Sequence, residues 1–68
     1  MSRSSIVLPS GGKIIVRGTV RDVADRLRGS ATDWIEFSNV MWDARKGDWL
    51  LKPVLVNRLH VVAVVEAS

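Results

Sequence analysis

The chain has 68 residues, with ten Lys and Arg, seven Asp and Glu, no Cys and a hydrophobic fraction of 47%. A chain of this length buries only about 60% of the surface that its unfolded form exposes, and we expect these residues to form one domain rather than two. The lack of Cys excludes disulfides, a thiolate nucleophile and Cys-based metal sites, and the net charge of +3 favours only weak attraction to acidic partners.

Residues 1–5 are polar and predict a disordered tail, followed by a single small β-rich domain at residues 6–67. The apolar stretch at residues 6–8 ends at Pro9 and is too short for the core of a signal peptide. The longest apolar run, residues 61–65, is far below the roughly 18 residues of a membrane-spanning helix. We therefore expect a cytoplasmic protein without a membrane partner.

Two segments rich in β-branched residues, 6–8 and 13–17, flank the sequence Pro-Ser-Gly-Gly at residues 9–12. Valine and isoleucine have stiff side chains that favour strands. Adjacent glycines allow the positive φ angles that a tight hairpin turn requires. This part of the chain therefore predicts a β-hairpin.

The helix signal covers residues 20–28. Thr19 is a good N-cap, and Asp22 three residues later completes a weakened capping box in which Asp replaces Glu. The apolar positions that recur at helical spacing are Val20, Val23, Ala24 and Leu27. Two arginines lie in the last turn, and Gly29 stands where a left-handed residue would end the helix. We expect the apolar stripe to pack against a sheet.

The segment after the helix predicts a strand at residues 34–38. Bulky apolar and polar side chains alternate there, which places Ile35 and Phe37 inward and Trp34 on the polar side. The stretch at residues 40–42 either extends this strand or follows a bulge.

A polar hairpin loop at residues 43–48 leads into another strand-forming segment at residues 49–56. Because Pro53 has no N–H to donate, this segment must lie at a sheet edge, contain a bulge or divide into two strands. Residues 57–60 predict a turn, and residues 61–65 predict the last strand.

The last strand carries valines on both of its sides, so both sides need cover. One helix covers one face of a small sheet, and the other face must line a barrel, curl on itself or contact another copy. The predicted fold is α+β and mainly β: a small bent antiparallel sheet or open β-barrel of about five strands with one short helix, in the order β-β-α-β-β-β. The arrangement is similar to small β-barrel modules that bacteria and their viruses use as adaptors, ring-formers or nucleic-acid binders, a similarity that implies no individual site residue.

Catalytic chemistry has few candidate residues. His60 is the only His, and a Ser-His-acid arrangement would use one of three serines, none of which lies in a nucleophile-elbow motif. These serines are Ser10, Ser30 and Ser38. The Gly-Gly-Lys at residues 11–13 lacks the remaining positions of a phosphate-binding loop, and the loop between Asp43 and Asp48 offers too few oxygen ligands for calcium. We predict a non-enzymatic protein without cofactor, metal ion or small-molecule substrate.

Three Trp residues in so small a chain are difficult to bury completely, and Trp is enriched at the centres of protein interfaces. With the two-sided last strand, they predict a protein–protein interaction or self-assembling adaptor module of bacterial or phage origin, acting as a homo-oligomer or with a partner protein. The candidate interface residues are Trp34, Trp42, Trp49, Val61, Val62 and Val64. The alternative is a monomer whose barrel interior takes up these side chains.

A small basic nucleic-acid-binding regulator is the alternative function. Arg45 and Lys46 lie at a predicted hairpin tip, and the flanking Trp42 and Trp49 could stack on bases while the cations neutralise phosphates. The candidate residues for this function are Arg17, Arg21, Arg28, Arg45 and Lys46. A simpler interpretation is that the two Trp residues form a cross-strand pair and the two cations keep the loop soluble.

Overall fold

The computed structural model describes residues 2–67, which form five β-strands, one α-helix and a short 3-10 helix. The strands are β1 (Arg3–Val7), β2 (Lys13–Arg17), β3 (Trp34–Asp43), β4 (Asp48–Asn57) and β5 (Ala63–Glu66). The helix α1 spans Val20–Gly29, and the 3-10 helix at Arg58–His60 connects β4 to β5. None of the helices within residues 2–67 has the length and apolar character needed to cross a membrane.

All five strands belong to one open antiparallel sheet, in the order β4-β3-β2-β1-β5. β1 pairs with both β2 and β5, so the first and last strands are neighbours. β2 meets β3 at one bridge, between Val16 and Asn39, whereas β3 and β4 pair along their full length. The predicted α+β, mainly β fold and its order of elements are confirmed, with the last strand beginning at Ala63 rather than at Val61.

β1 begins inside the segment that predicts a disordered tail. Ser4 is fully buried and Ser5 nearly so, and the Ser4 hydroxyl donates a 2.8 Å hydrogen bond to the carbonyl oxygen of Gly18. A buried hydroxyl costs little once its hydrogen bond is formed, so a polar sequence can occupy an inner strand. Arg3 to Ser5 are therefore strand residues rather than part of a tail, and Met1 lies outside the described residues.

The hydrophobic core lies between α1 and one face of the sheet. It contains Ile6, Val16, Val23, Ile35, Phe37 and Val56. Within the helical stripe Val23 is buried and Leu27 packs against this core, whereas Val20 is exposed. The guanidinium of Arg26 lies 4.6 Å from the ring centroid of Phe37 and donates to the carbonyl oxygen of Glu36. α1 is thus held to the sheet by apolar packing and by one cation–π contact.

The N-terminus of α1 has the predicted capping box. The Asp22 N–H donates to the Thr19 hydroxyl oxygen at 3.1 Å, and the Thr19 N–H donates to the Asp22 carboxylate at 3.3 Å. These bonds satisfy donors that the first turn of a helix leaves without a partner. The local sequence therefore determines where α1 begins.

Replacing Thr19 with alanine is expected to lower the free energy of unfolding by about 1 kcal/mol, because the alanine side chain cannot accept the Asp22 N–H. Urea denaturation followed by circular dichroism measures the loss. The matched variant Thr19→Ser retains the hydroxyl and is expected to stay close to the unsubstituted protein. A loss in Thr19→Ser as large as in Thr19→Ala would contradict the capping role.

α1 does not end with the left-handed glycine that the sequence predicts. Gly29 is a helical residue without a positive φ, and the C-cap Ser30 has extended backbone angles. Arg58 supplies the missing partners: its Nη1 donates to the Ser30 oxygen at 2.9 Å and to the Leu27 oxygen at 3.5 Å. Its Nε donates to the Asp33 carboxylate at 3.0 Å. A side chain from the 3-10 helix that follows β4 therefore replaces the left-handed glycine cap.

β4 runs without a break through Pro53 and forms one edge of the sheet. Of the arrangements that Pro53 allows, the structure therefore has the edge strand, and the segment is not divided into two strands. The Trp49 N–H donates to the Asp48 carboxylate at 2.7 Å, so it does not pair with β3. Because strand residues alternate, the nitrogen of Pro53 points toward the same open edge. A missing N–H at that edge leaves no group on β3 without a partner.

Candidate interaction site

The open face of the sheet is the side opposite α1. Alternation from Phe37, which is buried under α1, assigns the other residues of the β3–β4 hairpin to the two faces. On the open face are Trp34, Glu36, Ser38, Val40 and Trp42 of β3, and Trp49, Leu51, Pro53, Leu55 and Asn57 of β4. Glu36 is the one charged side chain in this set, so the open face of the hairpin is predominantly apolar.

All three Trp side chains lie on this face, as the alternation predicts for Trp34, and they remain exposed at 58% for Trp34, 56% for Trp42 and 47% for Trp49. Leu51 and Leu55 are also exposed. Single exposed apolar residues are common on protein surfaces, but a contiguous row of them marks an interaction site. We call the row Trp34, Leu51, Pro53 and Leu55 the hairpin strip.

The tip of the hairpin carries a second group of aromatic and basic residues. Trp42 and Trp49 form the cross-strand pair that the simpler interpretation predicts, with ring centroids 5.1 Å apart and an interplanar angle of 73°. The guanidinium carbon of Arg3 lies 4.8 Å from the centroid of the Trp49 ring. Sequence patterns did not identify Arg3, because it is distant from Trp49 in the chain and no local signal links the two. We call Arg3, Trp42, Arg45, Lys46 and Trp49 the tip cluster.

The contact between Arg3 and Trp49 shows that the hairpin bends. In the sheet order, β2 and β3 lie between their strands, so a flat sheet would hold the two residues about 15 Å apart. Val40 is only 5% exposed although it lies on the open face, and β2 and β3 share only the bridge at Val16. The outer half of the hairpin therefore curls over the open face toward β1.

The five basic candidate residues are divided between the two sides of the sheet. Arg45 and Lys46 are exposed in the hairpin loop, and Arg17 is exposed on the open-face side of β2. Arg21 and Arg28 lie on α1, on the other side, where Arg28 pairs at 2.5 Å with the carboxylate three residues before it. The loop cations thus lie close to the Trp pair, Arg28 is held in an ion pair on α1, and Arg21 lines a surface cavity together with Arg3.

The three valine candidates also differ in their surroundings. Val61 and Val64 are half-buried and pack against the core, whereas Val62 is 64% exposed. The Val62 N–H donates to the Val7 oxygen at 2.9 Å, which attaches the segment before β5 to β1. A partner contact through these valines stays a prediction.

The residues considered for catalysis are scattered over the fold. His60 is exposed at the end of the 3-10 helix. The Ser10 and Ser30 oxygens each accept a backbone N–H from two residues later, and Ser38 is exposed on β3. Across residues 2–67, no group of three or more His, Asp or Glu side chains is placed to hold a metal ion. The non-enzymatic character of the protein stays a prediction.

Comparisons of the chain with protein-family models, with curated proteins and with solved structures find no match.

Proposed function

We propose that this protein is a non-enzymatic interaction module that self-associates, with the hairpin strip of one copy packed against the hairpin strip of another. The observation that carries the proposal is the exposure of Trp34 (58%) and Leu55 (62%) as diagonal neighbours on paired strands. Burial of a large apolar side chain stabilises an assembly by about 1.5–3 kcal/mol. Two such side chains side by side form the centre of a contact surface.

The size of the core favours a second copy as the occupant. Within residues 2–67, seven hydrophobic residues are buried, and eleven large hydrophobic residues are exposed. A domain this small is only marginally stable on its own core. A second copy of the chain is present wherever the first one is, and its binding to the strip would stabilise the folded state by mass action.

The charge distribution on the strip is compatible with this symmetry. In a two-fold symmetric dimer a patch meets its own copy, so every charge on the patch faces a like charge. On the open face of the hairpin, Glu36 is the only charged side chain; it is paired with Leu55 and follows Trp34 on the same face of β3, so the contact surface carries one carboxylate per copy. A nearly uncharged surface suits its own copy better than it suits a strongly acidic or basic partner.

The proposed contact joins two faces rather than two strand edges. The β4 edge is poor at pairing with another strand, because Pro53 has no N–H and the Trp49 N–H is already bonded to Asp48. The side chains of the strip are not restricted in this way. Two sheets that pack face to face lie about 10 Å apart, a distance that Trp and Leu side chains fill.

We also propose a cytoplasmic location, since the chain has no Cys with which to form the disulfides that stabilise many small secreted domains.

Sedimentation equilibrium over a wide range of concentrations tests the assembly. The unsubstituted protein is expected to show a mass above the 7.5 kDa of one chain, with a reversible dependence on concentration. The variant Leu55→Asp is expected to raise the dissociation constant at least about tenfold, because each copy would bury a carboxylate in the interface.

Leu59→Asp is the matched control. Leu59 is 71% exposed on the 3-10 helix and is not part of the strip, so the same substitution there is expected to leave the mass unchanged. Circular dichroism establishes that both variants are folded. A monomeric mass at every concentration would overturn the proposal, as would equal dissociation of the two variants.

A further inference from the structure

We infer that the tip cluster binds single-stranded nucleic acid. This inference does not rest on self-association, because the tip cluster lies at the far end of the hairpin from Trp34 and Leu55. It combines an open aromatic surface with cations that have no ion-pair partner among the described residues.

The geometry of the Trp pair leaves a ring face available for stacking. In a T-shaped pair, each ring covers at most one face of its neighbour. The guanidinium of Arg3 covers a face of Trp49, not of Trp42. Trp42, which is 56% exposed, therefore keeps an open face, and an open indole face stacks on an unpaired base of any sequence.

The tip of the hairpin carries both cations and carboxylates. Arg45 and Lys46 are exposed in the loop, and neither forms an ion pair within residues 2–67. Asp43 and Asp48 are also at the tip, but they are one position from the Trp pair and so lie on the other side of the hairpin. Their carboxylates accept the backbone N–H groups of Arg45 and Trp49, respectively. Each carboxylate is thus engaged by a backbone N–H group, and on the side with the indoles the Arg3 guanidinium lies against Trp49.

The aromatic faces distinguish single strands from other polyanions. In a duplex the bases stack on each other and cannot reach Trp42, whereas unpaired bases can. An acidic protein segment would use the cations but would gain nothing from the indole faces. The three cations of the cluster correspond to about three phosphates, so we expect weak, sequence-tolerant binding with a slope of log K against log salt of about −2.

Fluorescence anisotropy of a labelled oligothymidylate, titrated with the full chain at several salt concentrations, tests the charges. The double variant Arg45→Ala/Lys46→Ala is expected to bind more weakly and to reduce the slope to about −0.7, because one cation of the cluster remains. The matched control Lys13→Ala/Arg28→Ala also removes two positive charges and is expected to leave the slope unchanged, because Lys13 pairs with Val7 at the opposite end of β1 from Arg3 and Arg28 lies in the last turn of α1. An equal effect of the two double variants would overturn the inference.

The stacking contribution is tested separately. Trp42→Ala is expected to weaken binding about tenfold, and Trp42→Phe, which keeps an aromatic face, is expected to restore most of the affinity. Trp34→Ala is the control, because it removes an indole from the other end of the hairpin. Leu55→Asp is expected to bind the oligonucleotide as well as the unsubstituted chain, so a failure of self-association and a failure of nucleic-acid binding are distinguishable.

Two competitors complete the test. Polyglutamate and a duplex of the same length are each expected to displace the oligonucleotide less effectively than an unlabelled single strand does. Equal displacement by polyglutamate would show that the tip cluster binds any polyanion through its positive charges. Equal displacement by the duplex would show that unpaired bases do not stack on the indoles. Either result, or an unchanged affinity in Trp42→Ala, overturns the inference.

Discussion

Replacing Phe37 with alanine is expected to leave a large fraction of the protein unfolded at room temperature. Phe37 is 2% exposed at the centre of the core, and loss of a buried Phe side chain costs about 3–5 kcal/mol. At roughly 0.05–0.15 kcal/mol per residue, a chain of this length has a free energy of unfolding of about 3–10 kcal/mol. The loss is therefore comparable with the whole stability.

Urea denaturation at one fixed protein concentration measures the effect, because association would otherwise change the apparent stability. Leu59→Ala is the control: Leu59 is 71% exposed and lies outside the hairpin, so its truncation is expected to cost less than about 0.5 kcal/mol. If Phe37→Ala lost no more than Leu59→Ala, the position of the core would be wrong.

Replacing Arg58 with alanine is expected to lower the free energy of unfolding by about 2 kcal/mol, since hydrogen bonds to a charged group contribute more than neutral ones. The change removes the ion pair with Asp33 and leaves the Leu27 and Ser30 carbonyl oxygens at the end of α1 without this donor. The side chain is about one-third exposed, so solvent replaces part of what is lost.

Arg58→Lys distinguishes the geometry from the charge. A lysine keeps the positive charge but lacks the planar fork that reaches a carboxylate and two carbonyl oxygens together, so most of the loss is expected to remain. Arg17→Ala is the control, because Arg17 is exposed and forms no ion pair within residues 2–67. Urea denaturation compares all three variants. A lysine variant as stable as the unsubstituted protein would show that charge alone suffices.

The sequence predicted the elements whose signals are local. The capping box at Thr19, the alternation around Phe37 and the Gly-rich turn before β2 each depend on neighbours a few residues apart, and each appears in the structure. The cross-strand pairing of Trp42 with Trp49 belongs to the same class, because a short loop brings the two strands together. Local rules of this kind do not require knowledge of the sheet order.

The features that the sequence did not predict depend on distant contacts. The sequence predicts a left-handed cap at Gly29, but Arg58 reaches the end of α1 and makes a left-handed residue unnecessary. The polar serines before Ile6 predict a disordered tail, but Gly18 provides a hydrogen-bond acceptor that allows Ser4 to be buried. In both cases a partner far along the chain decides the local structure.

The sequence predicts which residue types form the candidate site, but it does not predict which of these residues lie together. Exposure of the three Trp residues follows from the small interior, and it is observed. The grouping of the basic residues was not predictable, because it depends on which side of the sheet α1 covers and on the bend that carries Trp49 to Arg3. That bend brings a residue of β1 into the tip cluster and leaves Arg21 and Arg28 outside it.

The pairing of the first strand with the last also determines when the domain can form during translation. β1 leaves the ribosome early, yet its second edge is closed only by Ala63–Glu66, and α1 packs against the same late strand. A nascent chain that has not yet produced β5 therefore exposes an unpaired strand edge and part of the helix. Completion of the fold has to wait until nearly the whole domain has been synthesised.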